Sequence, residues 1–346
     1  RDLNGNGNNQ IVDLGGFGET ADRHVAVVIN GRRVNPIDQS NVRWTLIPVD
    51  NIEKIEILHG SGAVLYGDNA VGGVINIITK DIREGVSFDA EALAGNMGTR
   101  RAHGIYSYNK GAFGIQLGVE GSETDGYRDR SEAERKGING KVQVYPADTV
   151  MLSLELSAGS SEYQLPGALS EDEMIADRKQ SGNPNDEGED EDFFIGLGAE
   201  FDFEKNGVLT LRANNRKEEI ESNMVSWGSY MMIESKTKGV NVQYTLDRAI
   251  FNHSNRLTVG MDYYNTDYEA FRGASIGSST DTFNHKKKTI SYYVQDEYAL
   301  IESLILNVGL RYEDPEIDRF QMCSGFLPAI HLMTLKSHGT PVFPIT

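Results

Sequence analysis

Amphipathic strands of unusual length are the feature that most constrains the fold of this chain. From Val86 onward, apolar and polar residues alternate with a period of two, so each run has one apolar and one polar face. Several runs reach about ten residues, whereas the usual strand has about five or six, and a length near ten suits a tilted strand that crosses a bilayer. The clearest runs are 113–119, 152–156, 195–201, 240–246, 257–263 and 304–310.

The connections between these runs differ in length. Residues 145–148 (YPAD) and 204–207 (EKNG) predict tight turns, whereas 160–192 and 272–288 are long and polar. Short turns at one end of the strands and long loops at the other are the organisation of an outer-membrane β-barrel. The pattern therefore predicts antiparallel strands with one face toward lipid and one toward a water-filled lumen.

A soluble β-sandwich is the alternative, because its strands also alternate. Charged residues in mid-strand suit either a lumen or a solvated sheet. Strand length favours the barrel, and so does the gathering of tyrosines near strand ends, which resembles an interfacial girdle. The mid-strand charges are Glu120, Lys141, Glu155, Arg212 and Asp262. The tyrosine pairs are Tyr106 with Tyr108, Tyr263 with Tyr264, and Tyr292 with Tyr293.

The composition argues against several other classes. Hydrophobic residues make up 39 % of the 346 residues, and no stretch approaches the roughly 18 apolar residues of a spanning helix. A net charge of -18 argues against a nucleic-acid partner, because phosphate neutralisation needs clustered Lys and Arg. The single cysteine, Cys323, permits no internal disulfide, and no G-x-S-x-G or HExxH motif occurs. We therefore expect a protein that is not an enzyme and needs no cofactor or metal.

The first eighty residues have a sequence pattern that differs from that of the rest of the chain. A β-branched run over 25–30 ends in Asn30-Gly31, the strongest short signal for a hairpin. The sequence thus predicts a small α/β domain that precedes the barrel strands. Its other predicted elements are a returning strand at 32–35, one helical turn at 48–52, a short strand around Ile55 and Ile57, a glycine-spaced linker over 60–73 and a last strand over 74–79.

Two motifs in this domain are similar to ligand-binding loops. LYGDNAVGGVINIITK at 65–80 lacks the lysine that directly follows the second glycine of a phosphate loop, and a strand follows it instead of a helix. DLNGNGNNQIVD at 2–13 places Asp2 and Asn4 as in a calcium loop, but it closes on Asp13 and has no flanking amphipathic helices. We therefore expect neither phosphate nor calcium at these loops.

The order of motifs in the first eighty residues resembles the plug domain of TonB-dependent outer-membrane receptors. VAVVINGRRVN at 25–35, IPVDNIEKIEIL at 47–58 and AVLYGDNAVGGVINIITK at 63–80 follow the family pattern, and Gly16-Phe17-Gly18 resembles an earlier plug motif. The resemblance is dense to residue 80 and diffuse beyond it. The positions that carry the plug motif are Gly16, Phe17, Asn30, Gly31, Tyr66, Gly67, Gly72, Gly73 and Asn76.

This resemblance implies a plug that fills a wide barrel of about 22 strands. It also implies import of a scarce nutrient complex, such as a ferric siderophore, a corrinoid or haem, with energy from the inner-membrane protein TonB. The location would be the outer membrane of a Gram-negative bacterium, in contact with outer-membrane lipid. A surface or secreted β-protein of the adhesin type, without transport activity, is the alternative.

The sequence departs from the family pattern in several places. Gly15 and His59 stand where the family commonly has arginine, and Ser61 stands where proline is usual. Plug arginines in the family pair with barrel glutamates, so we do not expect that anchoring from these two positions. The energy-coupling box and the first plug segment are not found in the sequence.

These features predict three regions. They are a plug domain over 1–80, incomplete at its N-terminus, a partial barrel of about eleven strands over 81–319, and an atypical tail over 320–346, where alternation stops and which we expect to be non-native. Half of a barrel leaves an unpaired edge in lipid, which is unfavourable. We therefore expect the chain to be a fragment of a longer protein.

Two segments are candidates for ligand contact. By position, the apex of the plug supplies Asn35, Asp38, Gln39, Ser40 and Asn41. The predicted loop 160–192 holds an acidic run whose expected role is a solvated surface, bridged by divalent cations to anionic lipid, with capture of a cationic ligand as the alternative. This run consists of Asp186, Glu187, Glu189, Asp190, Glu191 and Asp192.

Overall fold

A computed structural model describes residues 10–60, 62–301, 304–318 and 329–337 of the protein. These residues form a small four-stranded sheet near the N-terminus and a twelve-stranded antiparallel sheet after it. The fold is therefore mainly β, as the alternation predicts. Within the described ranges, no helix is both long enough and apolar enough to cross a bilayer.

The N-terminal domain is a mixed sheet in which β1 is buried throughout and β4 is buried over its first five residues. Strand β1 pairs in parallel with β4 and antiparallel with β2, and the order across the sheet is β2-β1-β4-β3. β-Branched residues on both faces of β1 suit this central position, because each face packs against its own apolar cluster. The elements are β1 (Val25–Ile29), β2 (Arg32–Arg33), β3 (Ile52–His59), helix α1 (Ala63–Tyr66) and β4 (Gly73–Thr79), with a 3-10 turn at Val49–Asn51.

The hairpin predicted at Asn30-Gly31 is present. Both residues have positive φ, +49° and +80°, as a type I′ turn requires. The Asn30 side chain also links this turn to the end of β4. Its Nδ2 donates to Thr79 Oγ1 at 2.8 Å, and its Oδ1 accepts from the Thr79 amide at 3.1 Å.

The large sheet is a meander in which each strand pairs with its neighbours in sequence. A short helix, α2 (Glu171–Ala176), lies in the longest connection, between the fifth and sixth strands of this sheet. The strands are β5 (Gly85–Ala94), β6 (Arg100–Lys110), β7 (Phe113–Thr124), β8 (Ala133–Ala147), β9 (Val150–Gln164), β10 (Glu187–Asp202), β11 (Val208–Met224), β12 (Ser229–Ile250), β13 (His253–Gly273), β14 (Ser279–Ile301), β15 (Leu304–Asp318) and β16 (Ala329–Ser337).

This sheet has an inside-out distribution of side chains. Polar residues such as Gln116 and Ser291 are 3 % and 0 % exposed, whereas apolar Leu117 and Ile138 are 51 % and 60 % exposed. A soluble sandwich buries its apolar faces, but here the apolar face points outward, as in a strand that faces lipid. The fold class is thus confirmed, with a small plug domain followed by antiparallel transmembrane β-barrel strands.

Two predicted long loops are shorter than the sequence suggested. The segment 160–192 was expected to be a loop, but β9 continues to Gln164 and β10 begins at Glu187. The segment 272–288 was also expected to be a loop, but only 274–278 separates β13 from β14. Both predictions were wrong because these strands extend past their apolar zone, where both faces are polar and the alternation disappears.

The predicted tail is only partly described. Strand β16 pairs with β15, while 319–328 and 338–346 lie outside the described residues. The domain boundaries at 80 and 319 and the atypical nature of 320–346 stay predictions.

Candidate functional site

The apex of the plug lies toward one end of the strands. The connections 111–112, 148–149 and 251–252 are short and share one end of the sheet, while 125–132 and 165–186 lie at the other. The plug segment 35–43 contacts residues near this long-loop end. Tyr268 of β13 donates its hydroxyl to Asp38 Oδ2 at 3.2 Å, and Arg43 Nε lies 3.7 Å from Asp190 Oδ2 on β10.

The five candidate ligand residues occupy different environments. Asn35 is committed to the plug itself, because its Oδ1 accepts from the Val27 amide at 2.8 Å and its Nδ2 donates to the Val25 carbonyl at 2.9 Å. It therefore holds the edge of β1. Its predicted ligand role stays untested, although its side-chain amide already has partners.

The other four candidates form the turn that follows. Asp38 and Gln39 are exposed, and Gln39 has a left-handed φ of +61°. Ser40 donates its amide to Asp38 Oδ1 at 3.0 Å, and Ser40 and Asn41 are half-buried. Asp38 and Gln39 are thus the two exposed side chains of the five, and their ligand role stays a prediction.

Sequence reasoning missed the wall that faces this turn. Tyr268 stacks on His285 of the next strand, with ring centroids 6.4 Å apart. Next to Tyr268 is a small apolar cluster on the inner surface, formed by Ile220, Ile233 and Ala270. The alternation of polar and apolar residues could have indicated this wall, because Tyr268 occupies one of the polar, inward-facing positions of β13. Its neighbour Asp38 is 230 residues away in sequence, so no local pattern could pair them.

The acidic run is not a solvated loop, which corrects that prediction. In β10 the side chains of this run alternate between the two faces of the strand, so Asp190 and Asp192 point toward the plug while Glu187 and Glu191 are exposed. Asp186 is 1 % exposed and accepts the Ser226 amide at 2.8 Å. The sequence showed the density of charge but not that a strand divides it between two faces.

Three arginines join the plug to β10 and β11. Arg216 of β11 contacts Asp192 Oδ2 at 2.6 Å and Glu218 Oε1 at 3.2 Å, and it donates to the carbonyl of Val34 in the plug at 3.1 Å. Arg43 pairs with Asp190, to which Tyr163 also donates a hydrogen bond. The Arg32 guanidinium lies 3.5 Å from the centre of the Phe194 ring. Burial, together with nearby Arg216, lowers the pKa of Arg32 to about 10, so it remains charged at neutral pH.

In other contacts the plug supplies the carboxylate and the barrel supplies the basic residue, which is the reverse of the plug-arginine to barrel-glutamate pairing. The plug carboxylate of Asp50 contacts Arg101 Nη2 at 2.6 Å and His103 Nδ1 at 3.3 Å on β6. On the opposite side of the plug, Asp68 contacts Lys287 Nζ at 3.0 Å. Burial opposes the effect, but Lys287 and Arg33 lower the pKa of the Asp68 carboxyl. Both basic and acidic residues of the plug therefore pair with the barrel, and they lie at positions other than Gly15 and His59.

The plug-motif glycines permit close backbone contact. A Cβ on Gly72 would lie 2.8 Å from the Leu14 carbonyl oxygen, and one on Gly73 would lie 2.6 Å from that of Leu58. Gly67 has φ +72° and lies against Arg311 and Glu313 of β15, while Gly31 lies against Arg212. The glycines therefore set the packing of the plug against itself and against the barrel.

The remaining motif residues are also structural. Asn76 is buried in β4 and donates to Glu56 Oε2 at 3.0 Å. Tyr66 packs at the edge of the cluster around Val74. Phe17 stacks on His24 with ring centroids 4.2 Å apart. These contacts explain the residue types without a bound ligand.

The loop around Gly16 is organised by the Asp13 carboxylate. It accepts the amides of Gly16 and Phe17 at 3.0 Å and that of Gly18 at 2.9 Å. The Gly18 hydrogen bond is the largest influence that lowers the pKa of Asp13. Asp13 therefore serves the backbone rather than a cation.

The rest of the calcium-like pattern, up to residue 9, lies outside the described residues. Within the described part of the chain, no group of three or more acidic, His or Cys residues could hold a metal ion.

We predict that Asp13→Asn weakens this loop at neutral pH and has no effect in acid. A lowered folded-state pKa gives stability that is present above the unfolded pKa, near 4, and is lost as the pH falls through the folded value. Hydrogen exchange at the Gly16–Gly18 amides, compared with the parent protein at each pH, measures this. Equal protection in the two proteins at pH 7 would contradict the prediction.

Comparisons with known proteins agree with this architecture. Residues 2–74 match the family described as TonB-dependent Receptor Plug Domain, and residues 139–333 match TonB dependent receptor-like, beta-barrel. The vitamin B12 transporter BtuB of Photobacterium profundum is 32 % identical over 203 residues, which cover 51 % of this chain and 33 % of that protein. BtuB of Vibrio cholerae is 24 % identical over 318 residues, which cover 88 % of this chain and 49 % of that protein.

A solved structure shows the same fold. The unliganded ferric citrate transporter FecA superposes with a TM-score of 0.80 at 19 % identity, over 92 % of this chain and 52 % of that one. The chain spans about half the length, or less, of the relatives that it matches.

Proposed function

Because the chain belongs to the TonB-dependent receptor family, we propose that it imports a scarce nutrient complex across the outer membrane of a Gram-negative bacterium. The family consists of outer-membrane receptors and transporters. The observation that carries the proposal is a polar-walled lumen in which a plug is held by ion pairs such as Arg43–Asp190 and Asp50–Arg101. A plug held by separable contacts, rather than by an apolar core, suits a device that must open.

The proposed cargo is a corrinoid, a ferric siderophore or haem. Relatives are named for vitamin B12 and for ferric citrate, which supports a large polar complex as cargo. The proposed partners are TonB, which supplies energy, and outer-membrane lipid around the exposed apolar face. No catalytic activity is proposed.

Uptake in whole cells tests the proposal. The protein, expressed from its native gene, is placed in a Gram-negative host that lacks its own receptors for cyanocobalamin, ferric citrate, ferric enterobactin and haem. Accumulation of at least one of these labelled compounds should depend on this protein and disappear when TonB is deleted. Presence of the protein in the outer membrane with no TonB-dependent uptake of any of them would favour the adhesin-like alternative.

The exposed apex pair gives a residue-level prediction. Asp38→Ala with Gln39→Ala should weaken cargo binding about tenfold, because a lost charged hydrogen bond is worth about 1.5 kcal/mol or more. Cell-surface binding of the imported compound measures this.

Asn35→Ala is the matched comparison on the same loop. Its side chain serves the backbone of β1, so it should lower the free energy of unfolding by about 1–2 kcal/mol and leave cargo affinity within about twofold. An unchanged affinity in the Asp38/Gln39 variant would remove these two residues from the site.

A further inference from the structure

We propose that cargo crosses on one side of the plug, between plug segment 44–50 and the inner faces of β6–β10. This inference rests on the proposed import function and assigns the path within it. A cleft of about 460 Å³ lies on this side. It is bounded by the plug segment Trp44 to Val49 and by residues of β5 to β10.

A second cavity of about 70 Å³ continues from this cleft. The two spaces share five lining residues, so they adjoin one another, and we refer to these five residues as the constriction. Three of the five belong to the plug and two to the barrel wall. They are Leu46, Ile47, Pro48, Ser157 and Asp192.

The two spaces lie at different heights in the barrel. Thr99 and Thr124 line the larger cleft at the long-loop end, since Thr99 lies in the connection 95–99 and Thr124 directly precedes the connection 125–132. Asn30, Thr79 and Lys141 line the smaller cavity and lie closer to the short turns. Together the spaces run along the side of the plug from one end toward the other.

The lining suits a polar, hydrated cargo. Arg101, Glu120 and Arg135 face the larger cleft, and Glu155 and Arg216 face the smaller one. Within the described residues, the buried Trp44 Nε1 and Thr45 Oγ1 atoms beside the larger cleft have no hydrogen-bond partner. Such buried polar atoms are normally satisfied by protein or water, so these two have unused hydrogen-bonding capacity beside the cleft.

The plug is held differently on its opposite side. There α1 packs directly against β15, where a Cβ on Gly309 would lie 2.6 Å from Val64 Cγ1. Arg311 extends toward the carbonyls of Val64 and Leu65 at 3.5 Å. On the cleft side, Asp50 contacts Arg101 and His103 of β6. Asp50 lies two positions after Pro48, the last plug residue of the constriction. The Asp50–Arg101 ion pair forms a latch, and its opening does not require α1 to move.

Tethering either side of the plug tests this path. In a Cys323→Ser background, Asp50→Cys with Arg101→Cys is joined by a short bis-maleimide across the latch. Asp68→Cys with Lys287→Cys provides a matched tether on the opposite side, since both native ion pairs have similar lengths of 2.6 and 3.0 Å. Uptake of cyanocobalamin, ferric citrate, ferric enterobactin and haem is measured before and after cross-linking.

The latch tether should lower uptake at least about tenfold, because it blocks a gating movement, while surface binding of the cargo is unchanged. The opposite tether should leave uptake within about twofold. Loss of uptake with both tethers, with neither, or only with the opposite one would overturn the path. Absence of uptake in the untethered protein contradicts the proposed function instead.

A conductance measurement separates the path from import. Leu46→Gly widens the constriction, and the purified protein should then show a higher single-channel conductance in a planar bilayer than the parent. Leu65→Gly in α1 is the control on the opposite side and should not change the conductance. Equal conductance of the Leu46→Gly protein and its parent would overturn the path even if uptake is absent.

Discussion

Replacing Arg216 by methionine should destabilise the plug–barrel interface by about 3 kcal/mol, since removal of one partner leaves buried charges uncompensated. Arg216 is enclosed by Asp192 at 2.6 Å and Glu218 at 3.2 Å, and these carboxylate side chains are only 11 % and 5 % exposed. The variant also leaves the Val34 carbonyl without its donor. The substitution therefore weakens contacts within the barrel wall and also the contact between the barrel and the plug.

Tryptophan fluorescence during urea titration in detergent measures this change. The chain has two tryptophans, and Trp44 lies in the plug beside the cleft, so a Trp227→Phe background reports on the plug alone. Adding Asp192→Asn and Glu218→Gln to Arg216→Met should restore most of the lost stability, because no uncompensated charge then remains.

Arg256→Met is the matched control. Arg256 also contacts a carboxylate at 2.6 Å, but its partner Asp247 is 60 % exposed, and exposed pairs contribute less than about 1 kcal/mol. Equal losses in the two single variants would show that burial of the carboxylates does not determine the effect. A triple variant as unstable as Arg216→Met alone would attribute the loss to packing rather than charge.

Much of the plug could be predicted from sequence because its signals are local. Asn30-Gly31 specifies a turn in which both residues have positive φ, and the β-branched residues before it specify a buried strand. The alternation from Val86 onward likewise predicts the strands and which residues share a face. Each of these features depends on neighbours within a few positions.

The sites between plug and barrel could not be predicted in the same way. Asp38 meets Tyr268 across 230 residues, and Arg216 meets Val34 across 182, so pairing depends on how the plug sits in the lumen. The run 186–192 shows the limit most clearly. Its charge density predicts a solvated loop, but strand register buries Asp190 against Arg43. Long-range electrostatics, rather than local propensity, decides the role of these carboxylates.

Gly72→Ala should destabilise the plug by about 2–3 kcal/mol, because overpacking a tight site forces the backbone apart. A Cβ at this position would lie 2.8 Å from the Leu14 carbonyl oxygen, 2.9 Å from the Phe17 ring and 3.0 Å from the His24 carbonyl oxygen. Two of these three neighbours are backbone atoms, which cannot rotate away. The Gly72 amide also donates to the His24 carbonyl at 2.7 Å, so any shift weakens this bond.

Gly95→Ala is the control, since its nearest neighbour would be Thr99 Cβ at an ordinary 3.5 Å, and it should change stability by less than about 0.5 kcal/mol. Urea titration with Trp44 fluorescence compares the two. If Gly72→Ala were as stable as Gly95→Ala, close backbone packing would not explain the glycine at this position of the motif.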